Sequence, residues 1–144
     1  MLRRLHPIAG AVGLLTILTF WLSTVGAELF GARETIAAVK QAIPWGFLIL
    51  VPALVLTGAS GFRLAAGSTD PAIARKKRRM PFIAGNGLLV LVPAALYLAT
   101  LAARGEFGGA FYAVQAIELM AGAVNIALMS LNARDGLRLT GRVR

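Results

Sequence analysis

Apolar residues gather along this chain in four long blocks, and charged residues fall almost wholly between them. Leu5 to Ala27, Gln41 to Phe62 and Met80 to Ala103 contain no charged side chain, and Phe107 to Ala133 contains one, Glu118. A helix rising ~1.5 Å per residue needs ~20 apolar residues to cross ~30 Å of hydrocarbon. The pattern predicts an all-α fold: an integral membrane four-helix bundle in one domain, 1–144, with helices over about 7–27, 43–63, 81–103 and 109–132.

The polar segments set the expected layout. Lys and Arg fall at Arg3 and Arg4, at Arg63 and the run Arg75-Lys76-Lys77-Arg78-Arg79, and at Arg134, Arg138, Arg142 and Arg144. The alternate segments hold only Arg33, Lys40 and Arg104. Basic residues flank spans on the cytoplasmic side, so both termini and the 75–79 run are expected there. Arg33 to Lys40 is amphipathic and predicts a short helix lying in the outer interface. Arg104 to Gly109 predicts a tight turn, making helices three and four a hairpin. Val25-Gly26-Ala27 has the small residues of a leader cleavage site. The apolar stretch from Ile8 to Val25 is longer than a leader's usual ~7–15 residues, so the first span is read as retained.

Composition narrows the chemistry. Hydrophobic residues make up 58% of the chain and its mean hydropathy is +0.75, which places it in a membrane. The net charge is +9. Beside apolar spans this implies contact of Arg75, Lys76, Lys77, Arg78 and Arg79 with anionic lipid headgroups. The basic loop lacks aromatic residues, so no nucleic acid is expected. With no cysteine, disulfides and thiolate metal sites are excluded, and the single His6 excludes any multi-histidine site within one chain. No phosphate loop, HExxH motif, nucleophile elbow or paired carboxylates at catalytic spacing occur. The chain is therefore expected to be no enzyme and to carry no cofactor.

Within the fourth block, Gln115, Glu118, Gly122, Asn125, Met129 and Asn132 recur at steps of three and four. That is one face of a helix, and polar side chains on it must point into the bundle. Glu118 falls ~12 Å in from the outer end. An acid there must be paired, solvated or protonated, and no lysine or arginine lies within the four apolar blocks. By depth its expected partners are Thr19 and Ser23, with carbonyls freed by Pro52 and Pro93; Asn86 falls level with Asn125. The stripe reads either as a polar intramembrane site or as hydrogen-bonded glue between helices. Gly46 to Ala53 resembles Gly87 to Ala94 in phrase, either an inverted repeat or the common alphabet of membrane helices.

Two resemblances bear on function. Arg3-Arg4-Leu5-His6-Pro7-Ile8-Ala9-Gly10 resembles the R-x-L-H-x-x-x-G opening of membrane helices in PepSY-type and cytochrome-b-like proteins. That resemblance implies electron transfer through haem b with His6 as a ligand; the second would be Met80, which enters from the same side, or His6 of a second copy, or none in a five-coordinate iron. The further histidines of that family are missing here. The whole chain, Arg79 to Gly87 in particular, is similar to uncharacterised short four-helix inner-membrane proteins of bacteria, which implies a multi-pass inner-membrane location and no activity. The expectation is a non-enzymatic membrane protein, an accessory subunit of a membrane complex or a small binding or transport module around Glu118. Other membrane subunits or a second copy are the expected partners, and a small haem protein is the alternative.

Overall fold

The computed structural model describes residues 2–139 and 141, with the Arg3 side chain excepted. Arg142, Arg144 and the Arg3 side chain, all used in the charge balance, lie outside the described residues. Four helices run α1 Leu2–Phe30, α2 Arg33–Leu64, α3 Pro71–Ala103 and α4 Gly109–Leu139, each long and apolar enough to cross a membrane. All four run past the predicted limits, because the polar flanks stay helical beyond the apolar blocks. Here the end holding Leu2 and Leu139 is called proximal, and the end holding the 31–32 and 104–108 turns distal.

The turns explain the lengths. At the distal end the Gly31 N–H donates to Ala27 O at 2.8 Å, and a Cβ on Gly31 would lie 2.6 Å from that oxygen, so only glycine closes the turn. Ala32 is extended, and Arg33 already starts α2. This corrects the expected interfacial helix. Arg33 to Lys40 forms the first turns of α2, because Ile36, Lys40 and Ile43 make one buried stripe at steps of four and three. A break at Lys40 would strand backbone groups and uncover both isoleucines.

At the proximal end the Asp70 carboxyl caps α3, accepting from the Ala72 N–H at 2.7 Å, with Pro71 in the first turn. The 75–79 run is thus helical, where a loop was expected. Midway, α3 widens to a π-helical turn over Gly87–Leu91, with the Val92 N–H donating to Gly87 O, just before Pro93. A proline lacks its own N–H and crowds the preceding turn, which the wider turn relieves. The similar phrase Gly46 to Pro52 stays in ordinary α-helix within α2, so the two phrases adopt different backbones. At the distal end of α3, Gly105 (φ 69°) closes the helix. The Glu106 N–H bonds to Leu101 O at 2.9 Å and the Gly105 N–H to Ala102 O at 3.1 Å.

The helices form a ring in which α1 packs on α2 and α4, and α3 on α2 and α4. That leaves α2 and α4 on a diagonal. Two apolar clusters fill the interior. Ala27, Ile36, Leu98, Leu101, Ala102 and Phe111 lie at the distal end, and Ile17, Leu50, Ile83 and Met129 in the middle. Large apolar side chains such as Trp45, Leu48, Leu89 and Phe82 face outward all round the ring.

Candidate functional site

Between the two apolar clusters lies a polar layer. Lys40, carried inward by the stripe that begins at Ile36, is 1% exposed. Its stem crosses the diagonal, and Nζ meets Glu118 Oε2 of α4 in a salt bridge and donates to Thr24 Oγ1 of α1 at 3.4 Å. This corrects the expectation that no basic residue could reach Glu118. Lys40 looked like a flank residue, and its four-carbon stem is what allows the reach. Glu28, one turn from Thr24 on α1, lies within electrostatic range of Lys40, and its Oε1 is buried with no hydrogen-bond partner. Gln115 is 4% exposed, and neither its Oε1 nor its Nε2 has a partner. Phe111, one turn further out on α4 and fully buried with Ala27, Ile36 and Leu98, covers this layer on its distal side.

The next layer inward is different in kind. Trp21 Nε1 donates to Leu119 O at 2.9 Å. Asn86 Nδ2 donates to Asn125 Oδ1 at 2.9 Å and to Ala121 O at 2.8 Å, and Asn125 Nδ2 donates to Ile83 O at 3.3 Å. Both donors of Asn86 are used and the Asn125 carbonyl is filled. This is interhelical glue.

Thr19 and Ser23 are not brought to Glu118. Both are exposed; Thr19 Oγ1 donates back to Leu15 O at 2.8 Å, and Ser23 lines a surface groove with Phe30 and Val39. The depth matched, but at ~100° per residue the inward hydroxyl is that of Thr24. Pro52 and Pro93 also face outward.

At the proximal end Asp135, 2% exposed, accepts from Arg79 Nη1 at 2.8 Å, with Arg75 Nε at 3.7 Å. Arg79 also donates to Asn132 Oδ1 at 3.3 Å. The basic run is therefore divided. Arg75, Lys76 and Arg79 turn toward α4, where Lys76 Nζ lies close to Gly136, while Lys77 and Arg78 are exposed. His6 pairs with Ser60 Oγ at 3.0 Å. The Ser60 hydroxyl gives its one proton to Leu56 O, so His6 Nδ1–H is the donor in that pair. The imidazole rests on Gly61, where a Cβ would meet Cε1 at 3.1 Å, and Met80 rests on Gly58 one turn away. Among the described residues no group of three or more His, Asp or Glu is placed to hold a metal ion.

Sequence reasoning found Gln115, Glu118, Asn125 and Asn86, and missed Lys40, Thr24, Glu28 and Asp135. Two spacings carried the signal: Ile36-Lys40-Ile43 on α2, and Thr24-Glu28 on α1. No family model, curated protein or solved structure matches this chain.

Proposed function

We propose that this is a non-enzymatic protein of a bacterial inner membrane, with its proximal end in the cytoplasm. It acts as a small binding or transport module whose site is the Lys40–Glu118 pair with Thr24, Glu28 and Gln115, in the outer half of the bundle. One observation carries this reading: Gln115 is buried with both ends of its amide unpaired. Glue leaves no such debt, as the Asn86–Asn125 layer shows by contrast. A buried amide without partners costs ~1–3 kcal/mol, so a polar solute or water that supplies both donor and acceptor gains there. The packing of His6 against Gly61, and its bond to Ser60, support a structural role for that residue. Met80 likewise rests on Gly58 of α2, and we read this seating in favour of the structural role over the haem alternative.

The chain has no native cysteine, so single cysteines test access. A membrane-impermeant thiol reagent applied from outside should label Gln115→Cys and Gly108→Cys but not Asn125→Cys or Asp70→Cys. Phe111→Ala should speed labelling at 115. If Gly108→Cys reacts and Gln115→Cys does not, even with Phe111→Ala, the layer is closed. The chain is then an accessory subunit held together by polar contacts. Labelling of Asp70→Cys from outside would invert the topology.

A further inference from the structure

The charges of the polar layer do not balance. Lys40 Nζ holds one carboxyl, Glu118, in contact and Thr24 Oγ1 at 3.4 Å, and Glu28 stands one turn beyond Thr24 on α1. No other charged group compensates them among the described residues. On α2, Arg33 sits over the Phe107 ring at 5.9 Å and Glu34 is exposed. Helix α4 contributes only Glu118, and α3 brings no charged side chain to this level, Arg104 and Glu106 being exposed in the distal turn. Glu28 is half-buried, but its Oε1 is shut off from solvent and unbonded. An ionised carboxylate in such a place is costly, and one monovalent cation would remove the imbalance. The proton is the cation that needs no cavity.

We propose that Glu28 is a proton-binding site, filled from the outer aqueous phase, and that it shares Lys40 with Glu118. Lys40 can neutralise one carboxyl at a time, and a proton covers the other. With Nζ on Glu118, Glu28 carries the proton. When Nζ swings to Glu28, that acid releases its proton and Glu118 takes one up. Glu28 lies two residues from the distal end of α1, whereas Glu118 lies nine residues into α4. The exchange therefore moves one proton inward, with no change in net charge. This rests on the outer-half site proposed above and names the proton as its coupled ion.

Infrared spectroscopy of the full chain in lipid bilayers at neutral pH reads the proton directly, as the C=O stretch of a protonated carboxyl. Of the other acids, Glu34 and Glu106 are exposed, Asp70 caps α3 and Asp135 is paired with Arg79. The wild type should show one such band. Glu28→Gln should abolish it, being nearly isosteric with the neutral acid. Glu118→Gln should abolish it too, because Lys40 then turns to Glu28 and ionises it. Lys40→Met should roughly double it. A wild type without the band, a band that survives Glu28→Gln, or one that survives Glu118→Gln would overturn the proposal. Thiol labelling reads access and the infrared band reads occupancy, so a closed but protonated layer would be seen as such.

Discussion

Replacing Lys40 with methionine keeps the length and apolar stem of the side chain and deletes only the ammonium. Glu118, 12% exposed, is then left inside the bundle without its cation. Breaking a buried pair from one side costs ~3–5 kcal/mol. The acid has an escape, which is to bind a proton. For an ordinary glutamate at pH 7 that costs ~1.36 kcal/mol for each of the ~2.7 units between ~4.3 and 7, or ~3.7 kcal/mol in all. The smaller figure caps the loss, so Lys40→Met should destabilise the protein by ~3–4 kcal/mol at pH 7. Glu118→Gln should cost less, because Glu28 can receive the ammonium. Reversible unfolding in bicelles, run on both single variants and on the double, yields the coupling energy of the pair. A coupling of ~2 kcal/mol or more is expected. A value at or under ~0.6 kcal/mol, the average for hydrogen bonds between membrane helices, would refute the reasoning.

Asn125→Leu leaves one Asn86 donor without a partner, and should cost ~1–2 kcal/mol in the same unfolding assay with little effect on thiol labelling at 115. Gly122→Ala would put a Cβ 3.0 Å from Trp21 Cδ1. The indole must then move off Leu119 O, at ~1–3 kcal/mol, and Trp21 emission should shift when read in a Trp45→Phe background.

The four helices were legible because a membrane span is written as a long uncharged block, which few other patterns imitate. The α4 stripe was legible because polar residues at steps of three and four in such a block have one place to go. Lys40 was not, for a physical reason. The charge lies before the apolar block of α2 and Pro44 follows it, so by composition it belongs to a flank. Its burial is decided by Ile36 and Ile43 on either side, whose spacing continues through it. Asp135 was hidden likewise among the basic residues of the tail, where the charge count registered the cations and passed over the acid they hold. Thr24 instead of Thr19 or Ser23 was a matter of phase. Depth can be counted from a helix end to within a turn, whereas facing needs an apolar period, and α1 is apolar almost all round.

The diagonal reach of Lys40 also bears on biosynthesis. On insertion into a membrane as proposed, helix α2 would be made well before α4, so Lys40 would enter with no carboxylate on α4 to meet it. Until the last helix arrives its ammonium would have to be held by water at the distal surface, with α2 riding high or its first turns unwound, or by Glu28 on the neighbouring hairpin helix. Arrival of Glu118 would release that hold and let α2 settle to its full depth. Asp135, near the far end of the same helix, then fastens α3 through Arg79. The last quarter of the chain thus acts as a keystone, and a truncation before Gly109 should leave three apolar helices that insert but do not take up their final positions.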